Sequence, residues 1–349
     1  MQLIPGVRLA TLTTLRLGGP AARFVEASTE GEVVTAVRAA DAGGEPVLLL
    51  GGGSNLVVSD AGWPGVVVAL RWRGVSVQRD GDRVAVTVRA GEPWDALVDR
   101  SAVEGWSGLE CLAGIPGLTG ATPVQNVGAY GQEVAEVIAA VVVWDRQRAI
   151  RRELPAAECG FAYRSSIFKH TDRYVVLAVR FTLAASPRSA PIRYAELARS
   201  LGCAQGDRAP LGAVREAVLE LRRGKGMVLD PTDHDTWSAG SFFTNPVLSA
   251  GAVAGFETRL PPETRYPHWP AGGGAVKLSA AWLIERAGFA RGYRRGGAAV
   301  SGKHTLALTN TGRASTAELV ALAREVRDGV RDRFGVTLQP EPRLVGVDW

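Results

Sequence analysis

The sequence predicts an α+β fold of more than one domain. The chain has 349 residues, which exceeds the usual length of a single domain. Short apolar runs and alternating valines, which are typical of strands, occupy much of the first half. Amphipathic segments with helix-capping residues are more frequent in the second half. Because 46% of the residues are hydrophobic and 21% are charged, the composition is that of a globular protein rather than a disordered one.

Strand and helix signals alternate in the first third of the chain. Helices are marked by a capping box and by a proline at a helix start, and strands by apolar or alternating runs. The predicted elements are a helix that begins after Thr29 with Glu32 in its first turn and ends at Gly43, strands at Val47–Leu50, 66–70 and Arg83–Arg89, and a short helix between Pro93 and Gly105.

Helix signals increase after a polar connection near residues 184–191, which is the first predicted linker. Before it, apolar runs predict strands at residues 137–144 and 174–181. The elements predicted after it are a helix through Val214 and Leu221, a helix at residues 276–287, a helix that Ser315 and Glu318 cap and Gly335 ends, and a tail strand at residues 336–347 that Pro340 and Pro342 interrupt.

Glycine is in excess, with 42 residues or 12% against an average of about 7%. Residues 51–55 (GGGSN) directly follow a buried strand, where successive N–H groups can cradle a phosphate. The alternative is an ordinary glycine-rich turn. Residues 113–131 form a long, nearly uncharged loop in which Gln125 and Asn126 can hydrogen-bond a heteroaromatic ring; the alternative is an irregular connection packed in the core. Together the two loops favour a dinucleotide cofactor with a ring system.

Several polar residues are candidates for binding or catalysis, each with a plainer alternative. Arg164 can clamp a carboxylate or lie in a surface turn, and Ser241 can be a functional hydroxyl among phenylalanines or end a strand. Glu341 lies between two prolines, which hold its backbone stiffly; it can be a positioned acid or an ordinary glutamate on an edge strand. Arg222 and Lys225, at a predicted helix end, can grip a diphosphate or complement the helix dipole.

Charge and cysteine content exclude several classes of protein. The 40 basic and 35 acidic residues give a net charge of 40 − 35 = +5, without a long basic run, which favours anionic small molecules over nucleic acid or membranes. Three separated cysteines and four histidines show no metal-ligand spacing, so we expect no metal and a reducing compartment. We also expect no signal peptide, no membrane insertion and a cytoplasmic location.

Seven motifs, taken in order, identify a family. They are GGGSN at 51–55, AGIPG at 113–117, QNVGAYGQE at 125–133, YRSSIFK at 163–169, AGSFFTNP at 239–246, GGAAVSGKH at 296–304 and LQPEPRLVG at 338–346. This combination strongly resembles the UDP-N-acetylenolpyruvoylglucosamine reductase family. The resemblance extends from about Leu17 to Gly346, nearly the whole chain.

The resemblance implies a two-subdomain FAD-binding region of the vanillyl-alcohol-oxidase (PCMH) type and a C-terminal α+β substrate domain. It places the FAD subdomains at residues 1–70 and 71–205 and the substrate domain at 206–337, with the tail 338–349 packed back on the second subdomain. The first glycine loop would hold the pyrophosphate and the second the isoalloxazine and ribityl chain, without a covalent bond. The implied FAD-binding residues are Gly51, Gly52, Gly53, Ser54, Asn55, Leu56, Gly114, Ile115, Pro116, Thr119, Gly120, Ala121, Gln125, Asn126, Gly128, Ala129 and Tyr130.

The implied reaction uses NADPH as the hydride source and reduces UDP-N-acetylglucosamine enolpyruvate to UDP-N-acetylmuramate, a peptidoglycan precursor. By the resemblance, Arg164 would stabilise the enolate carboxylate, Ser241 would donate the proton, and Glu341 would lie beside the carboxylate. The implied substrate-binding residues are Tyr163, Arg164, Tyr194, Arg222, Lys225 and Asn245.

Two other functions compete with this one. An FAD-dependent oxidase of another alcohol or sugar is the first, but it needs a base rather than the paired proton donor that Ser241 and Glu341 suggest. A flavin- or nucleotide-binding module without turnover is the second, and the presence of all three implied catalytic residues argues against it.

Overall fold

The structure is a computed structural model that describes residues 3–4 and 6–349. Residues 1, 2 and 5, part of the predicted first subdomain, lie outside the described residues. None of the described helices is long and apolar enough to span a bilayer. The α-helices of the described chain are α1 Glu30–Ala42, α2 Trp94–Val103, α3 Ala195–Ser200, α4 Leu211–Gly224, α5 Ala250–Glu257, α6 Ala280–Arg286 and α7 Thr316–Phe334.

The longest strands lie in the first half of the chain. In chain order they are β1 Leu3–Ile4, β2 Ala21–Ala27, β3 Val47–Leu50, β4 Leu56–Val58, β5 Trp63–Leu70, β6 Val75–Asp80, β7 Arg83–Arg89, β8 Trp106–Ser107, β9 Gly128–Ala129, β10 Gln132–Glu133, β11 Ile138–Asp145, β12 Ile150–Pro155, β13 Tyr174–Ala185, β14 Ser238–Ser241, β15 Val247–Leu248, β16 His268–Pro270, β17 Val276–Leu278, β18 Arg294–Arg295, β19 Ala298–Val300, β20 Ala307–Asn310 and β21 Arg343–Val345.

The chain divides into two compact units. The first comprises residues up to 7, 21–53 and 64–228, and the second comprises residues 8–20, 54–63 and 229–349. The chain therefore passes from one unit to the other between Gly53 and Ser54, inside the first glycine loop. The predicted boundaries at residues 70 and 205 do not coincide with these crossings and stay predictions.

The first unit contains two main sheets. One has the order β1-β2-β5-β3, with β3 and β5 parallel, and the other has the order β12-β11-β13-β7-β6, with β8 also paired to β13. Its cores are made of buried valine, leucine and tryptophan side chains, including the fully buried Trp94 and Trp106. The alternating valines of β7, Val84, Val86 and Val88, are buried in this core, as the two-residue period of a strand predicts.

The second unit contains the sheet β14-β20-β19-β18, the sheet β15-β17-β16 and the parallel pair β21-β4. Helix α7 packs its apolar face, including Leu319, Val326 and Val330, into the core of this unit. Ser315 and Glu318 form the predicted reciprocal capping box, and Gly335 ends the helix in the left-handed conformation with φ 71°.

Two predictions in the second half are wrong. Residues 276–278 form strand β17 rather than the start of a helix, because Ser279 accepts from the N–H of Trp282 and caps α6 only there. The predicted tail strand at residues 336–347 is a strand only at β21, which pairs with β4 at residues 56–58. The packing of residues 338–349 on residues 71–205 stays a prediction.

Candidate functional site

The first glycine loop is built for close approach of backbone to backbone. A Cβ on Gly52 would lie 2.6 Å from the Cα of Gly117 in the second glycine loop, so only glycine fits there. Among the described residues, the N–H groups of Gly52 and Gly53 donate no hydrogen bond within the protein. Free donors at the end of β3 are what a phosphate cradle requires, and this observation fits the pyrophosphate of FAD.

The second glycine loop is ordered by its own backbone. It follows a tight turn at Glu110–Leu112 and contains another at Thr119–Ala121 and the short strand β9, as its composition predicts. The N–H of Gly114 donates to Asp95 Oδ1 at 2.6 Å, and the N–H of Gly120 donates to the carbonyl of Ala90 at 3.0 Å. The loop is therefore a fixed surface and not a loose connection.

Three predicted site residues have left-handed backbone conformations. Asn126, Tyr130 and Arg164 have φ angles of 45°, 49° and 52°. Such angles are uncommon for residues other than glycine and cost about 1–3 kcal/mol each unless the surroundings enforce them. Backbone strain of this kind concentrates at functional sites, so its presence at these three positions supports their assignment.

Asn126 and Arg164 tie two loops of the first unit together. The buried amide of Asn126 donates to Glu133 Oε2 at 2.7 Å and to the carbonyl of Ala162 at 3.2 Å, so both of its donors are used within the protein. The guanidinium of Arg164 donates to the carbonyl of Gly128 at 2.8 Å and lies 5.5 Å from the ring centroid of Tyr163. These contacts fix the guanidinium beside the second glycine loop.

Tyr130, Tyr194 and Lys225 form one cluster in the first unit. The two tyrosine rings meet edge to face with centroids 5.4 Å apart, and Lys225 Nζ lies 5.6 Å from the Tyr130 ring centroid. Lys225 also pairs with Glu196 at 2.6 Å. Burial raises the pKa of Tyr130 to about 12, which keeps its phenol neutral at physiological pH.

Arg222 completes this cluster from the last turn of α4. Its Nη2 donates to the carbonyl of Met227 at 2.8 Å, whereas its buried Nε has no hydrogen-bond partner among the described residues. A Cβ on Gly114 would lie 3.4 Å from this Nε. Burial lowers the pKa of Arg222. A buried guanidinium N–H without an acceptor is costly, so this donor is available to an acceptor on a ligand.

In the second unit, a β-bulge sets the direction of Ser241. Ser238 pairs with Thr309 and Ser241 with Ala307, so three steps along β14 match two along β20. The extra residue falls between Ser238 and Ser241, where Gly240 has a φ of 76° that favours glycine. Beyond the bulge, the N–H of Phe242 donates to the carbonyl of Leu306 at 2.7 Å. Bulges next to active sites re-aim side chains, which supports a functional role for Ser241.

Glu341 lies next to this strand. Its N–H donates to the carbonyl of Phe242 at 2.8 Å, and the Asn55 amide donates to the Glu341 carbonyl at 3.5 Å. The structure thus brings Ser241, Glu341 and Asn55 together in the second unit. Asn245 uses its side-chain oxygen to accept from the N–H of Ala280 at the start of α6.

The predicted site residues divide between the units. Ser54, Asn55, Leu56, Ser241, Asn245 and Glu341 belong to the second unit, and all the others belong to the first. Three carboxylates that hold these residues are not among the predicted site residues. Asp95 accepts from the N–H of Gly114, Glu133 accepts from the amide of Asn126, and Glu196 pairs with Lys225. Of the three, only Glu133 carries a signal in the sequence, because it ends the QNVGAYGQE motif.

Cys111 is the thiol closest in sequence to the second glycine loop, and its environment makes it a poor nucleophile. It is 7% exposed, and burial raises its pKa to about 12. A thiol that stays protonated does not attack a flavin, which supports non-covalent binding.

Comparisons with known proteins show which family the chain resembles. A family model for the C-terminal domain of UDP-N-acetylenolpyruvoylglucosamine reductase matches residues 230–345, and an FAD binding domain model matches residues 21–147. The chain is 58% identical to the UDP-N-acetylenolpyruvoylglucosamine reductase of Thermobifida fusca over 346 residues, covering 98% of this chain and 97% of the relative. It is 56% identical to the reductase of Streptomyces avermitilis, covering 100% of this chain and 96% of the relative.

The fold agrees as well. The crystal structure of UDP-N-acetylenolpyruvylglucosamine reductase from Thermus caldophilus matches with a TM-score of 0.66 and 26% identity, covering 99% of each chain. The predicted α+β fold with an FAD-binding domain is confirmed. Since its relatives match nearly from end to end at well above 30% identity, the chain belongs to the UDP-N-acetylenolpyruvoylglucosamine reductase family.

Proposed function

We propose that the protein reduces the enolpyruvyl group of UDP-N-acetylglucosamine enolpyruvate, with NADPH as reductant and bound FAD as cofactor, to give UDP-N-acetylmuramate for peptidoglycan synthesis. The full-length match to reductases of this name is the observation that carries the proposal. The alternative oxidase is less well supported, because the relatives that match the whole chain are reductases.

The glycine loops are the residues that would hold FAD. The N–H groups of Gly52 and Gly53 are available for the pyrophosphate, and the fixed second loop offers a surface for the ring system. When bound, FAD supplies the two-electron chemistry that connects NADPH to the substrate double bond. The chain itself must then bind the substrate, stabilise the charge that develops on it, and deliver a proton.

Arg164 is proposed to stabilise the developing enolate. Hydride addition to the vinyl methylene carbon places negative charge on the adjacent carbon and on its carboxylate. The guanidinium donates two parallel hydrogen bonds to a carboxylate, and its bond to Gly128 holds it in place before the reaction. A fixed cation directed at charge that grows in the transition state lowers the barrier.

Ser241 is proposed to give the proton from Oγ to the carbon that bears the carboxylate, which completes the reduction. A positioned general acid contributes about 10²–10⁴ in rate. Glu341 is proposed to lie by the same carboxylate, since the bond from its N–H to Phe242 fixes its backbone next to Ser241. The bulge at Gly240 would orient the Ser241 hydroxyl for this transfer.

The cluster in the first unit is proposed to bind the nucleotide sugar. Arg222 and Lys225 supply positive charge for the diphosphate, and the buried Nε of Arg222 supplies a donor that has no other partner in the described chain. Tyr194 is 42% exposed and can stack or hydrogen-bond from the surface of this cluster. Tyr163 and Asn245 are proposed as further contacts of the sugar.

A cytoplasmic location is part of the proposal. Cys111, Cys159 and Cys203 are all free thiols, which fits a reducing compartment.

The proposal is tested by spectroscopy on the purified protein. We expect a yellow protein whose visible absorption bleaches with anaerobic NADPH and returns on addition of UDP-N-acetylglucosamine enolpyruvate. Recovery of colour with oxygen but not with the nucleotide sugar would favour the oxidase. A colourless protein that FAD does not reconstitute would contradict the flavin assignment.

A further inference from the structure

Two buried aromatic side chains directly follow Ser241. Phe242 and Phe243 are each 1% exposed, and their ring centroids lie 5.1 Å apart. The indole of Trp349, more than a hundred residues later in the sequence, lies 6.2 Å from the ring centroid of each phenylalanine. We call these three residues the aromatic cluster.

The aromatic cluster also lies at the backbone of Glu341. The carbonyl of Phe242 accepts from the Glu341 N–H at 2.8 Å, and Phe243 forms a β-bridge with Pro340. The same two residues therefore connect the backbone of Ser241 to the backbone of Glu341. A change in their packing alters the positions of both.

Trp349 is itself fixed by α7. The Arg327 guanidinium lies 4.8 Å from the indole centroid, and Arg324 Nη2 donates to the carbonyl of Asp348 at 2.8 Å. The half-buried indole is thus contacted by a cation from α7 and by the two phenylalanines. None of these contacts involves a residue proposed to touch substrate or cofactor.

We infer that Trp349 is a positioning residue that holds Ser241 and Glu341 in register for proton delivery. Removing the indole leaves space into which Phe242 and Phe243 can shift, because packed side chains relax into a cavity only by moving. Since Ser241 precedes Phe242 and Glu341 is bonded to it, both would move with them. A displacement of about 1 Å can cost up to about a hundredfold in rate.

This inference deepens the proposed function and rests on it. It predicts a selective defect in proton delivery. Trp349→Ala should slow flavin reoxidation by UDP-N-acetylglucosamine enolpyruvate about tenfold or more and raise its solvent deuterium isotope effect. Flavin reduction by NADPH should stay within about twofold, and Trp349→Phe should restore most of the reoxidation rate. Stopped-flow measurements of both half-reactions in H₂O and D₂O, with a thermal unfolding curve for each variant, give these readouts.

Trp282 provides a matched control. It is a half-buried tryptophan of the same unit that contacts Tyr266 and Phe334 and has Arg286 near its ring. Trp282→Ala should lower thermal stability as Trp349→Ala does but leave both half-reactions unchanged. Equal loss of both half-reactions in the two variants, or an unchanged reoxidation rate in Trp349→Ala, would overturn the inference.

A second variant covers the case in which Trp349→Ala does not fold. Arg327→Gln keeps the indole but removes the cation from its face, and it should slow reoxidation by about two- to fivefold with reduction unchanged. A normal reoxidation rate in this variant would overturn the inference. If the nucleotide sugar does not reoxidise the flavin of the wild-type protein, the proposed function fails and the inference fails with it. If it reoxidises the wild-type protein and Trp349→Ala at the same rate, only the inference fails.

Discussion

The two units hold their proposed functional residues by different physical means. In the first unit, Gly52 and Gly117 bring two backbone segments close together, and three non-glycine residues are kept in left-handed conformations. In the second unit, Ser241 and Glu341 are placed by strand pairing, one β-bulge and the aromatic cluster. Cofactor binding would then depend on how closely the backbone of the loops can approach, whereas proton delivery would depend on the direction of the Ser241 side chain.

Gly52 and Gly240 illustrate this difference between the two units. Gly52 has a φ that any residue can adopt, but a Cβ there would lie 2.6 Å from Gly117 Cα. Gly240 has a φ of 76°, yet a Cβ there would meet nothing within 4 Å. Glycine is needed for close approach at the first position and for conformation at the second, so alanine should fail differently at each.

The largest effect in this comparison is expected from Gly52→Ala. The loop must move away from Gly117, at a cost of about 1–3 kcal/mol, and the two N–H donors move with it. FAD affinity should fall about ten- to a hundredfold, as measured by flavin fluorescence on titration of the apoprotein. Gly31→Ala, at an open site in helix α1, is the control and should bind FAD normally. Normal FAD affinity in Gly52→Ala would contradict the cradle.

A smaller effect is expected from Gly240→Ala. Alanine at this φ costs about 1–2 kcal/mol and tends to flatten the bulge, which turns the Ser241 hydroxyl away. Flavin reoxidation by the nucleotide sugar should slow by about tenfold, while FAD affinity stays at the wild-type value. A loss of FAD affinity with a normal reoxidation rate would contradict the assignment of cofactor binding to the first unit and proton delivery to the second.

The smallest effect is expected from Tyr130→Phe. Because burial raises the pKa of Tyr130 to about 12, the phenol stays neutral up to about pH 10, and phenylalanine keeps the ring that Tyr194 and Lys225 contact. The KM for the nucleotide sugar should change by less than about twofold between pH 7 and 9.5. An inflection near pH 9 in the wild-type protein that the variant lacks would contradict this assignment.

The same pKa shift makes a stability prediction. A raised pKa in the folded state stabilises the protein below the ordinary pKa of 10.0, and this contribution is lost as the pH rises towards about 12. Chemical denaturation should therefore show the wild-type protein losing stability relative to Tyr130→Phe between pH 10 and 12. A constant difference across this range would contradict the shift.

The sequence predicts local features of this fold well, because they depend on neighbouring residues. Helix α7 follows from the capping box of Ser315 and Glu318, and β3 follows from its apolar run. Residues 276–278 form a strand although the sequence predicts a helix, because their apolar pattern is too short to distinguish the two. The pairing of β21 with β4 joins residues almost 290 positions apart, and nothing local encodes it.

The site shows the same limit. Its candidate residues follow from ordered motifs, but the contacts that position them depend on folding. Asp95, which accepts from Gly114, and Trp349, which packs against Phe242, carry no signal in the sequence. Both act across long separations through geometry that no spacing rule describes.

The proposal that the second unit delivers the proton while the first binds the cofactor is tested most directly by Ser241→Ala. Stopped-flow spectroscopy should show flavin reduction by NADPH at the wild-type rate and reoxidation by UDP-N-acetylglucosamine enolpyruvate slower by about 10²–10⁴. Ser249→Ala, which removes the helix cap of α5 in the same unit, is the control and should leave both half-reactions intact. Unchanged half-reactions in Ser241→Ala, or equal loss of both, would contradict the assignment of proton delivery to Ser241.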